Sequence, residues 1–216
     1  MYLSRITLHT AQLSPARLLD MVERGEYVMH QWLWALFPNE QERRFLYRRE
    51  ELQGAFRFFV LSANPPVANE LFTIECRAFS PTLHAGQLLR FNLRANPTIC
   101  KAGKRHDLLM DVKFQIKDHP DRSDIWLHQQ NVAQEWLSRQ GEINGFSAQQ
   151  VNVEAYRQQQ VVRGKSRQVI QFSSVDYSGV LEILDPKAFL QRLMQGYGKS
   201  RAFGCGLMLI KPGVDA

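Results

Sequence analysis

At 216 residues the chain has room for one ordinary domain or two small ones, and 44% apolar against 22% charged residues is the balance of a folded globular protein. No apolar run approaches the roughly 20 residues of a membrane span, and Cys76, Cys100 and Cys205, odd in number with no C-x-x-C, suit a reducing compartment and offer no structural zinc site. The net charge of +6 favours an anionic partner without identifying it.

Residues 2–9 alternate Leu3, Arg5 and Thr7 against Tyr2, Ser4, Ile6 and Leu8, which predicts a strand. The same opening lacks the charged end, apolar run and cleavage site of a signal peptide, so a cytoplasmic protein is expected. Ser14-Pro15 reads as an N-cap and first helical residue, and the helix runs to Gly25. A second helical stretch from Glu26 to Phe37 stops at Pro38-Asn39. Aromatic-rich strands are predicted at Phe45–Arg49 and Ala55–Leu61, joined around Gly54, and Asn64-Pro65-Pro66 breaks the pattern. A mixed segment leads to a strand over Leu88–Ala95, ended by Asn96-Pro97.

The second half opens with a basic, loop-like Lys101–Arg105, followed by a predicted strand over Leu108–Val112. Ser123-Asp124 starts a helix whose apolar side carries Ile125, Leu127, Val132, Trp136 and Leu137, with Gly141 as its stop. Val151–Val162 and Gln168–Val175 form a hairpin around Arg163–Arg167. A further strand at Val180–Leu184 meets Asp185-Pro186, and a helix then runs to Gln195. Each half parses as strand, helix, two strands, helix, strand. The expected class is α+β, with two tandem ferredoxin-like (RRM-like, βαββαβ) domains at 1–97 and 98–216.

Four stretches could carry chemistry. Arg157, Arg163, Lys165 and Arg167 form a basic ribbon with no acidic residue between them, suited to neutralising nucleic-acid phosphates or to keeping a solvated sheet edge from aggregating. Lys101, Lys104 and Arg105 are a second basic cluster. Gly196–Gly206 holds four glycines with Lys199 and Arg201, either an anion-binding turn or a plain helix-to-strand connection. It is no Walker loop, since Leu193 stands where the first glycine is needed and the order is helix-to-strand. Tyr27 and His30 share one helix face with Trp34, while Met29, Leu33 and Leu36 can form the buried side. A phenol beside an imidazole suits proton transfer near neutrality, although such a histidine is more often packed or merely exposed than catalytic. Phe56, Phe58 and Val60 faintly match an RRM's RNA-binding strand, but their shared face reads as core. The six histidines show no ligand spacing, so no metal is expected.

These stretches together resemble the CasE family, the endoribonucleases that process CRISPR RNA within Cascade. The resemblance rests on Met1-Tyr2-Leu3-Ser4, on Tyr27-x-x-His30 with Leu36-Phe37-Pro38, on Phe91-x-Leu93-Arg94-Ala95-Asn96-Pro97, and on Gly196-x-Gly198 with Gly204-x-Gly206-Leu207. It implies two ferredoxin-like domains and metal-independent, cofactor-free cleavage of repeat RNA on the 3′ side of its stem-loop. The product stays bound, other Cascade subunits are the protein partners, and the chain is a monomer outside the complex. Carried over, Tyr27 and His30 are the expected catalytic pair; the Arg163–Arg167 hairpin is the candidate for gripping the stem, and Lys199 and Arg201 are candidate phosphate partners. A non-catalytic stem-loop-binding subunit is the alternative, and a metal-dependent nuclease is disfavoured.

Overall fold

The computed structural model describes residues 1–42, 44–117, 124–163 and 168–213, with only the backbone of Arg163. Two compact units emerge: Met1–Pro81 with Gln159–Gln171 and Arg201–Gly204, and Thr82–Gln158 with Phe172–Ser200 and Cys205–Ala216.

The first unit is built on four strands, β1 (Tyr2–His9), β2 (Phe45–Leu52), β3 (Ala55–Ser62) and β4 (Thr73–Ala78). They lie in the order β2-β3-β1-β4, with every neighbouring pair antiparallel. Two helices, α1 (Pro15–Arg24) and α2 (Glu26–Trp34), separate β1 from β2. The Ser14 hydroxyl caps α1 by accepting from the Arg17 N–H at 3.4 Å. Alternation in β1 and β3 sends Ile6, Leu8, Phe58 and Val60 into a core shared with Met29, Leu33, Leu36, Phe45 and Tyr47. The second helix expected in this half is absent among the described residues. The tandem prolines 65 and 66 supply no N–H and disfavour helical turns, and the Val67 N–H instead bonds the Leu36 carbonyl at 2.8 Å.

The second unit contains β5 (Leu88–Ala95), β6 (Thr98–Lys101), β7 (Lys104–Asp107), β10 (Met208–Pro212) and most of β8 (Phe146–Arg163) and β9 (Gln168–Ile183), whose residues 159–163 and 168–171 belong to the first unit, with helices α3 (Leu108–Gln115), α4 (Ile125–Asn144) and α5 (Pro186–Gln195). Its four-stranded sheet runs β10-β5-β9-β8. Counting β5, β8, β9 and β10 as first to fourth, this repeats the order of the first sheet. Both sheets are ferredoxin-like.

Several expectations are corrected. Leu88–Ala95, expected to close the 1–97 domain, pairs with β9 and β10 and is the first strand of the second sheet. The fourth strand of the first sheet is Thr73–Ala78, mostly exposed and almost without inward apolar residues, which is why no alternation marks it. Leu108–Val112 is helix, because Asp107 caps it through the Leu109 and Met110 N–H groups at 2.9 and 2.8 Å. Lys101–Arg105 is a tight hairpin turn with Ala102 and Gly103 at positive φ. The segments Gln168–Val175 and Val180–Leu184 belong to one continuous strand as far as Ile183. α4 passes through Gly141 and ends at Gly145. A Cβ at Gly141 would overlap the Phe146 carbonyl oxygen, so this glycine permits close packing instead of stopping the helix.

Candidate active site

The site is organised by α2. Its buried residues are Val28, Met29 and Leu33. A salt bridge fixes its first turn to the sheet, with Arg49 Nη1 of β2 2.6 Å from Glu26 Oε1 and both side chains less than one-fifth exposed. Arg49 also lies 3.3 Å from the Met29 sulfur. This docking leaves Tyr27, His30 and Trp34 lining one cleft, as their spacing predicts.

The imidazole of His30 is surrounded by rings. Trp34 meets it edge-on at 5.7 Å, Phe45 lies at 6.1 Å, and Tyr47 lies nearly parallel at 6.2 Å. Phe203 adds a fourth ring at 6.3 Å. Phe203 ends a short 3₁₀ turn, Arg201–Phe203, inside the glycine-rich stretch. The Tyr47 hydroxyl donates to the Ala202 carbonyl at 3.1 Å and ties that turn to β2. Tyr27, His30, Gln31, Trp34, Ile170 and Phe203 are among the residues around a cleft of about 680 Å³. That volume is typical of small-ligand sites.

The two ends of the glycine stretch are anchored within the second unit. Lys199 N–H donates to the Asn96 carbonyl at 3.1 Å, Asn96 Nδ2 donates to the Ser200 hydroxyl at 2.8 Å, and Gly206 N–H donates to the Arg94 carbonyl at 2.7 Å. Gly198, at φ +72, passes so near that a Cβ would sit 2.6 Å from the Asn96 oxygen. The Arg94-Ala95-Asn96 segment and the glycine stretch are therefore two halves of one hydrogen-bonded structure.

The family model for "CRISPR associated protein" matches residues 1–212. The Cascade subunit CasE of Escherichia coli K12 is 32% identical over 220 residues, covering 98% of this chain and all of that protein. The chain belongs to the CasE family. A relative from Thermus thermophilus, the CRISPR-associated endoribonuclease Cse3, is 28% identical over 98% of the chain and all of its own length. Among solved structures, a CRISPR endoribonuclease Cse3 bound to a 19-nucleotide RNA superposes with a TM-score of 0.75 at 28% identity, again covering 98% and 100% of the two chains.

Around this CasE-family cleft the expected residues are unevenly distributed. Tyr27 and His30 line it, and Arg201 opens the turn whose next two residues, Ala202 and Phe203, complete it. Among the described residues no Lys, Arg, Asp or Glu lines it; Arg24 Nη1 donates to the lining Gln31 at 3.5 Å. Among the described residues no group of three His, Cys, Asp or Glu could hold a metal ion. Lys199 is exposed on the anchored part of the loop. Lys101 is bound to Asp111 at 2.6 Å, while Lys104 and Arg105 are exposed on the β6–β7 hairpin in the second unit. Arg157 is half-exposed and paired with Asp176 at 2.7 Å. Lys165, Arg167 and the Arg163 side chain lie outside the described residues. Sequence reasoning missed Tyr47, the Glu26–Arg49 clamp and Phe203. For Phe203 the signal was present, an aromatic residue inside a glycine stretch too flexible to hold it by local preference alone.

Proposed function

We propose that this protein is a cytoplasmic endoribonuclease that cleaves CRISPR repeat RNA at the 3′ base of its stem-loop, keeps the product, and serves as a Cascade subunit. One observation carries the reading. In a chain of the CasE family, a phenol and an imidazole on one helix face line a cleft of nucleotide size. The names of the relatives, a Cascade subunit and an endoribonuclease bound to RNA, support the same activity.

The chemistry follows from the groups available. The ribose 2′-oxygen attacks the adjacent phosphorus, the bond to the 5′-oxygen breaks, and the fragments carry a 2′,3′-cyclic phosphate and a 5′-OH. One proton leaves the 2′-OH and one reaches the departing 5′-oxygen, so proton transfer balances without a co-reactant. His30 serves one of these transfers; Tyr27 orients the phosphate or shares the proton work. The surrounding rings fix the imidazole plane and limit water around the reacting atoms. The basic hairpin grips the stem through shape and backbone, since the major groove of duplex RNA is too deep and narrow to read.

The test is cleavage of a repeat stem-loop in excess EDTA by wild type and His30→Ala. Wild type should cut at full rate, and the variant should lose about 10²–10⁴-fold while still binding RNA. Binding by wild type with no product under any condition would leave a purely structural RNA-binding subunit. Activity that returned only with added Mg²⁺ would make the enzyme metal-dependent.

A further inference from the structure

The first sheet has a second face that the proposed cleavage does not use. In β1, Ile6 and Leu8 turn into the core while Leu3, Arg5 and Thr7 take the opposite side. In β3, Phe58 and Val60 are fully buried, and Arg57 and Phe59 share the other side. The aromatic strand is thus core at the positions read as core, but Phe59 is the ring it presents outward. Cross-strand register sets Phe59 between Arg5 of β1 and Arg48 of β2, with Glu75 of β4 beyond Arg5. Leu3 and Arg77 form the next row.

This face holds a depression of about 440 Å³ lined by Leu3, Arg5, Phe59, Glu75, Cys76 and Arg77, all within the first unit. Arg5 is held by Glu75 through two bonds of 3.1 and 2.5 Å, yet is still 49% exposed. Arg77 is exposed and makes no ion pair among the described residues. Around the depression Arg5 and Arg77 stand against Glu75, a surplus of one positive charge, and Arg57 is paired with Glu50 at 3.7 Å.

We propose that this face is a second RNA site, in which single-stranded nucleotides stack a base on Phe59 and place phosphates against Arg77 and Arg5. The inference rests on the RNA-processing reading and extends it to the unpaired RNA beside the stem. A lone aromatic ring flanked by arginines on an RRM-like sheet is the arrangement that binds splayed bases without reading their sequence. The occupant is RNA and not a neighbouring protein, because protein interfaces deplete charge at their centres, and here three charged side chains line the depression around one ring. A duplex does not suit it, since its bases are already stacked.

The experiment compares a repeat hairpin without overhang to the same hairpin carrying eight unpaired uridines on its 5′ or 3′ side, using the full chain. At least one extended RNA should bind wild type more tightly than the bare hairpin. Phe59→Ala should weaken binding of that RNA about 5- to 150-fold, the range of one lost base stack, and Arg77→Ala should weaken it in part. Bare-hairpin affinity and the cleavage rate at saturating protein should not move. Phe59→Trp keeps a stacking ring, should retain the gain, and should show emission quenched by oligouridylate relative to wild type. The proposal is overturned if the extension adds nothing in wild type, if the gain survives both alanine variants, or if Phe59→Ala weakens bare and extended RNA equally. Variants that change only association with other protein subunits would also overturn it. Failure of wild type to cut the hairpin would instead sink the processing reading, which the extension comparison does not measure.

Discussion

The imidazole of His30 lies within 19° of parallel to the ring of Tyr47, their centres 6.2 Å apart. Tyr47 is fully buried, and its hydroxyl reaches past the histidine to the Ala202 carbonyl. One residue of β2 thus supports the candidate catalytic group and also holds the turn that walls its cleft.

Tyr47→Phe separates these two jobs. The ring remains, and the lost hydrogen bond should lower stability by about 0.5–1.5 kcal/mol, a fall in Tm of a few degrees for a chain of this size. Loosening of the Ala202–Phe203 wall should reduce the single-turnover cleavage rate several-fold at saturating RNA, with affinity unchanged. A wild-type rate in this variant would uncouple the turn from the chemistry.

Gly141→Ala tests packing where helix propensity predicts the reverse sign. In an exposed helix interior, alanine is better than glycine by about 1 kcal/mol. Here the added carbon would overlap the Phe146 oxygen and sit 3.1 Å from its ring. Overpacking of this kind costs about 1–3 kcal/mol, so the urea midpoint should fall. A rise would mean that the helix end can shift to make room.

How much could be read in advance follows from which forces are local. The two faces of α2 were legible because Met29, Leu33 and Leu36 recur at helical spacing, which also put Tyr27, His30 and Trp34 together. The partner of Leu88–Ala95 was not legible, since alternation identifies a strand but not its sheet. Leu108–Val112 is a short apolar run that fits strand or helix alike, and the deciding residue was the cap, Asp107. The glycine stretch marked the family, yet Phe203 reaches His30 through Tyr47 and Gly204 packing that no local pattern records.

Asp107 predicts a pH effect. Burial raises its pKa above the ordinary carboxylate value, and the Met110 and Leu109 N–H bonds only partly oppose this. The unfolded chain therefore releases this proton at lower pH than the native protein does. Stability from this group is present below the unfolded pKa and is lost as pH rises through the raised native one. Asp107→Asn keeps an oxygen for the cap and removes the charge. It should be at least as stable as wild type at pH 7, and wild type should gain on it as pH falls toward 4. Thermal melts across that range check the sign; a gain by the variant on acidification would reverse the argument.

Asp176 is shared by two arginines that should behave differently. Arg94 Nε lies 2.7 Å from Oδ1 with the arginine 20% exposed, whereas Arg157 Nη1 lies 2.7 Å from Oδ2 with the arginine 54% exposed. Asp176 itself is 8% exposed. Removing the partner of a buried carboxylate costs about 3–5 kcal/mol, so Arg94→Ala should destabilise toward the lower end of that range, because Arg157 stays. Its RNA-binding salt slope should match wild type. Arg157→Ala should change stability by at most about 1 kcal/mol, as half-exposed pairs do. If Arg157 also meets an RNA phosphate, its loss should reduce the slope of log K against log salt by about 1. Titrations of both variants over a range of salt distinguish the roles, and an unchanged slope for Arg157→Ala would confine that residue to holding Asp176.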